Sequence, residues 1–168
     1  MRFDHHRGTA TAAGALLPDL DPDRGTYYAV LKPSSCIVEV FGDARTIDLT
    51  DPTRDWHVAY PRLPRDLHLF DLRGNGAMRA GSVAALAKIP GREETQAWSR
   101  YFYERPEYEN ADGLIYYNAH NDEVSIALYG RAEAALRCVP SRSTPLNDPA
   151  HHADLAEIAD ANGLYLFL

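Results

Sequence analysis

RGTYYAVLKPSSCIVEVFGD, residues 24–43, holds a strand, a turn and a helix in immediate succession. Residues 26–31 are rich in aromatic and aliphatic side chains and read as a strand. Lys32-Pro33-Ser34-Ser35 reads as a tight turn, with Pro33 just ahead of a helix start and Ser34 or Ser35 as the N-cap. The apolar run at 36–41 predicts a short helix over 34–41 that Gly42 closes. One carboxylate, Glu39, interrupts that run beside Ile37, Val38, Val40 and Phe41. Burying an unpaired carboxylate is costly. On a helical wheel Glu39 falls opposite the centre of the apolar run, so it either faces solvent or is turned toward a pocket.

Before this block, residues 1–6 (MRFDHH) read as a short strand. Residues 7–25, rich in Gly, Pro and Asp, read as a loop with a turn of helix near 12–17. After it, 46–49, 56–60 and 67–72 read as extended, 82–88 as a short helix stopped by Pro90, and 93–104 as a longer helix ending at Pro106. Trp98, Tyr101 and Phe102 share one face of that longer helix. The clearest strands are 113–117 and 124–129, joined by the polar hairpin loop 118–123. A short helix at 131–136, a loop at 140–149, a helix near 152–161 closed by Asn162-Gly163, and an apolar strand at 164–168 complete the chain. The sum is one α+β domain, residues 1–168, with a mixed, mostly antiparallel sheet.

The 168 residues suit one domain, and 45% hydrophobic residues suffice for a core. A net charge of -7 argues against a protein that reads the nucleic-acid backbone, which needs a basic face. No run reaches membrane-spanning length, and the start has no apolar signal-peptide core, so a cytoplasmic location is expected. Cys36 and Cys138 stand alone, outside any metal-like spacing, and fit a reducing compartment. His5-His6 and His151-His152 are adjacent pairs, which point to opposite faces of a strand, and no HExxH pattern exists. No metal is expected. His120 reads as a loop histidine near the cleft, Cys36 as core packing, and 107–112 as a solvated acidic loop.

The segment YYAVLKPSSCIVEVFGD resembles the tyrosine–strand–turn–helix–glutamate block of the RES domain family, toxins of bacterial toxin–antitoxin pairs whose partner is an Xre-like, helix-turn-helix antitoxin. Arg2-Phe3-Asp4 resembles the family's first, arginine-bearing strand, and DGLIYYNAHNDEVSIALYGRA, residues 112–132, its later hairpin. The resemblance covers about residues 2–135 and is strongest over 24–43 and 112–132. It implies a fold like that of ADP-ribosyltransferases. The implied chemistry is cleavage of the nicotinamide–ribose bond of NAD by hydrolysis or phosphorolysis, or transfer of ADP-ribose to a protein. A non-catalytic binding protein that keeps the fold is the reading from another class.

By position, the resemblance gives Glu39, Tyr28 and Arg2 the catalytic places. Arg2, Arg24, Tyr28, Ser99 and Asn118 take the NAD-binding ones. Asn118 stands where many members carry serine, and Asp23-Arg24-Gly25 stands in for a missing GGRW stretch. The residue types suit the task. A carboxylate can stabilise positive charge developing on ribose. Arginine binds pyrophosphate bidentately, a tyrosine can stack on nicotinamide, and asparagine can donate or accept.

Overall fold

The computed structural model describes residues 2–10, 12–13, 16–17, 21, 23–137 and 142–168. β1 (Thr9–Ala10) and β2 (Leu16–Leu17) pair antiparallel where the sequence predicts a turn of helix. β3 (Thr26–Val30) leads into α1 (Pro33–Phe41). β4 (Thr46–Asp48), β5 (His57–Tyr60) and β6 (Leu69–Asp71) follow, then α2 (Gly76–Arg79), which the sequence reading missed. The helix expected over 82–88 shrinks to a 3-10 turn, Leu86–Lys88. α3 (Arg92–Glu104), β7 (Gly113–Tyr117) and β8 (Val124–Tyr129) form as expected. Beyond them lie α4 (Glu133–Arg137), β9 (Arg142–Pro145), α5 (His152–Asn162) and β10 (Tyr165–Phe167). β9 replaces part of the predicted 140–149 loop. Cys138 lies outside the described residues.

The main sheet has the order β3-β8-β7-β6. β8 pairs antiparallel with both β3 and β7, and β6 joins β7 in parallel. Two smaller pairs, β4 with β10 in parallel and β5 with β9 antiparallel, complete a mixed, mostly antiparallel α+β domain. Across β8 the register places Tyr28 opposite Ala127 and Tyr116 opposite Ser125. Cross-strand partners share a face, so Tyr28 and Tyr116 lie on the same face of the sheet, flanking two small β8 side chains. That face packs Phe3, Leu114 and Tyr129 against Phe102 of α3, with Trp98 and Tyr101 alongside. A second core joins Ile37 and Phe41 of α1 to Ile47, Leu146, Leu155 and Ala159.

Residues 2–8 are not the strand that MRFDHH predicts. The alternation is real, since Phe3 and His5 are both fully buried, but side chains take the place of a backbone ladder. Phe3 N donates to the Tyr28 hydroxyl (2.8 Å), and Ser99 Oγ donates to Phe3 O (2.7 Å). Arg24 donates to His5 O at 3.2 Å, and Arg100 donates to His6 O. The helix ends also differ from expectation. Lys32, with no capping side chain, is the N-cap of α1, because both serines are turned toward β8 and its loop. Gly42 keeps a right-handed φ of -62°, whereas Gly163 closes α5 at φ 63°, the left-handed turn glycine favours.

Candidate functional site

Ser35, Glu39 and Gly42 occupy one side of α1, at i, i+4 and i+7. That side is turned to the 118–123 loop between β7 and β8. Ser35 is fully buried; its Oγ lies 3.0 Å from Ser125 Oγ and accepts from Asn118 Nδ2 at 2.8 Å. At Gly42 a Cβ would stand 2.3 Å from the Val38 carbonyl oxygen and 2.7 Å from His120 Nδ1, so the helix end and the imidazole together leave room only for glycine. Between these two contacts sits Glu39, half-buried. Among the described residues its carboxylate has no hydrogen-bond or ion-pair partner. Burial pushes its pKa up; the charges of His120 and then Arg2 oppose that, and Asp43 adds to it.

Arg2 donates one guanidinium hydrogen to Ile89 O, at the end of the 3-10 turn. Tyr116 is buried on the same side of the sheet, its ring 4.6 Å from that of Phe3. Its phenol is held protonated beyond the ordinary range by burial first and by the Glu39 charge second, while Arg2 pulls the other way. Tyr28 accepts from Phe3 N and donates to Asp4 Oδ1 at 3.0 Å. Burial raises its pKa most, with Asp4 and Tyr116 adding to it. Arg2, Glu39, Tyr116 and His120 therefore share one electrostatic neighbourhood. Tyr28 is coupled to it through Tyr116 and through the segment its hydroxyl holds.

The other candidates are engaged elsewhere. Arg24 lies before β3, whereas α1 leaves from that strand's far end. Its guanidinium bonds Glu104 Oε1 at 2.6 Å and lies over the Tyr103 ring. Ser99 is fully buried, bonding Phe3 O and Tyr129. Asn118 is fully buried too. Its Nδ2 donates to Ser35 Oγ and to Asn121 Oδ1, and its Oδ1 accepts from His120 N and Asn121 N, every bond between 2.8 and 2.9 Å. That spends the full capacity of an amide side chain, so Asn118 shapes the loop instead of lining a pocket.

A shallow apolar groove runs along the other side of α1, past Cys36, Val40, Trp56, Val58 and Ile158. An open depression lies between β6 and α2, beside Arg73 and Arg79. Glu39 lines neither. Of the predicted solvated loop 107–112, Asp112 is buried, held by both guanidinium arms of Arg65 at 2.8 and 2.7 Å. His151 bonds Thr144 and His152 bonds Asn147 O.

Sequence reasoning did not single out Tyr116 as a site residue and left His120 as a loop residue. The alternation along 113–117 carried the signal for Tyr116, which falls on the Leu114 face. Nothing local to 118–121 shows that Asn118 bends the loop back onto Gly42. A sequence model of the RES domain matches residues 1–150. No curated protein and no solved structure matches the chain.

Proposed function

Because the chain belongs to the RES domain family, we propose that it consumes NAD, breaking the nicotinamide–ribose bond by hydrolysis or phosphorolysis. A helix-turn-helix antitoxin that covers the site would hold it inactive. The observation that carries this reading is Glu39: half-buried, without a hydrogen-bond partner among the described residues, and within electrostatic reach of Arg2, Tyr116 and His120. A carboxylate kept in such a place costs stability, which favours a role in chemistry.

The reaction suits the group. As the C1′–N bond breaks, its electron pair leaves with nicotinamide, which departs neutral, and positive charge collects on the ribose. Glu39 stabilises that charge, and a transition-state interaction of this kind is worth roughly 3 kcal/mol. Water or phosphate then adds at C1′ and loses its proton. Arg2, with donors beyond the one spent on Ile89 O, meets the pyrophosphate. Tyr28 contributes through its hydroxyl, which fixes Phe3 and Asp4 and with them Arg2.

The test is NAD turnover by the purified protein and by Glu39→Gln, with and without phosphate. Free ADP-ribose indicates hydrolysis, and a phosphorylated ADP-ribose made only with phosphate indicates phosphorolysis. ADP-ribose bound to protein would move the acceptor to a side chain. No NAD loss under any condition, with the fold intact, would leave a binding protein and end the enzymatic reading.

A further inference from the structure

We propose that Asp4 is a positioning residue of this site: it takes the hydrogen of the Tyr28 hydroxyl and so turns that hydroxyl into a clamp on the backbone beside Arg2. Its part in the reaction rests on the NAD-consuming reading above; its hold on the N-terminal segment does not.

Two consecutive residues converge on one oxygen. Phe3 N–H donates to Tyr28 Oη at 2.8 Å, and Oη donates to Asp4 Oδ1 at 3.0 Å. A phenol has one hydrogen to give and lone pairs to receive with. Were that hydrogen turned toward Phe3 N–H, two donors would meet and the bond would be lost. Asp4 draws the hydrogen away and leaves a lone pair for the amide. Burial first, and then the Asp4 charge, hold the phenol protonated beyond its ordinary range, so it remains a donor.

The peptide held in this way is the one from which Arg2 departs. On its far side the Phe3 carbonyl accepts from Ser99 Oγ at 2.7 Å, and the fully buried Phe3 ring lies 4.6 Å from the Tyr116 ring. Arg2 itself reaches Ile89 O. Ser99, Arg24 and Arg100 hold residues 3, 5 and 6 by bonds that do not pass through Asp4. Losing the Asp4 acceptor therefore loosens Arg2 and leaves the rest of the segment docked. An arginine that grips pyrophosphate equally in the ground state and the transition state acts on KM and not on kcat.

The experiment measures exchange of the Phe3 amide by NMR in the free protein, and kcat and KM for NAD, in Asp4→Ala, Asp4→Asn and Tyr28→Phe. In Asp4→Ala the Phe3 amide exchanges roughly tenfold faster. KM rises roughly tenfold in the same variant, with kcat within about twofold of wild type. Asp4→Asn keeps an oxygen that accepts from Tyr28 and stays close to wild type in both measurements. Asp4→Ala combined with Tyr28→Phe is no worse than Tyr28→Phe alone, because both changes remove one clamp. Unchanged Phe3 exchange in Asp4→Ala, a loss of kcat at constant KM, or an Asp4→Asn protein as impaired as Asp4→Ala overturns the proposal. Should Asp4→Ala fail to fold, Tyr28→Phe carries the test, and Phe3 exchange at the wild-type rate in that variant overturns the clamp. Faster exchange in variants of a protein that leaves NAD intact keeps the clamp and overturns the NAD reading alone.

Discussion

Glu39 carries two opposed demands. Its folded pKa is raised, chiefly by burial, so folding favours the protonated form and stability declines as pH rises through the folded pKa. Glu39→Gln is therefore expected to lose NAD consumption by a hundredfold or more while becoming more stable at neutral pH. A gain of about 1 kcal/mol would raise the melting temperature by roughly 2–4 °C. The gain should shrink in acid, where the native glutamate is protonated anyway; thermal melts of both proteins at pH 4.5 and 7.5 check this. Gly42→Ala is the neighbouring test. The added methyl has to displace both the Val38 carbonyl at the helix end and the His120 ring, so activity and thermal stability should fall together, as NAD turnover and thermal melts would show. At this scale the sequence was informative about Glu39, because an acid inside an apolar run is visible locally. It was uninformative about the place of His120, which is fixed by a hydrogen bond that its backbone N–H donates to Asn118 Oδ1 and by contact with the end of a helix some eighty residues earlier.

The hairpin of β7 and β8 is the element on which the candidate site is built. Ser34 and Ser35 of α1 reach Glu123, Ser125 and Asn118, and Asn121 carries the network on to Asn162 of α5. Removing one member leaves buried donors and acceptors unmatched, at a cost of 1–3 kcal/mol. Asn118→Ala is thus expected to lower stability by about 2 kcal/mol, or roughly 4–8 °C in melting temperature. Asn118→Ser should recover part of that loss, since a hydroxyl keeps one donor. Arg65→Ala should cost about 2 kcal/mol in urea unfolding, because the buried Asp112 carboxylate keeps only the His68 amide from its present partners. Strands with regular apolar patterning, 113–117 and 124–129, were legible to the residue. β9 was not: RSTP has no strand signal of its own and is extended because β5 pairs with it. The serines of α1 look like caps locally, and only the neighbouring strand and loop explain why they are not.

For the molecule as a whole, the buried His5 ring contributes to the response to acid. It lies 4.2 Å from the Tyr103 ring and 4.7 Å from the Tyr129 ring, with Nδ1 3.1 Å from Thr26 Oγ1. Burial, then the charges of Arg24, His6 and Arg131, lower its pKa to about 4, against a small opposing effect of Asp4. The unfolded chain takes up this proton near pH 6.5 and the folded one only near pH 4. Stability from this group is therefore full above 6.5 and declines as pH falls toward 4. His5→Phe should flatten that decline in thermal melts across the window. The α+β class and the mixed sheet were legible because they follow from the order of periodic segments. The laddered strand wrongly read at 1–6 has the same alternation as a true one, and its backbone partners are side chains that no local pattern reveals. That substitution has a consequence for assembly. A stretch sewn in by Tyr28, Ser99, Arg24 and Arg100 is held by side chains of β3, α3 and the segment before β3, so it is expected to dock only after they stand in place. Arg2 would then be the last group to arrive on refolding and the first to depart on unfolding. Exchange of the Phe3 amide faster than amides of β8 would be the sign of it: the N-terminal segment, and Arg2 with it, would settle in the closing moment of folding.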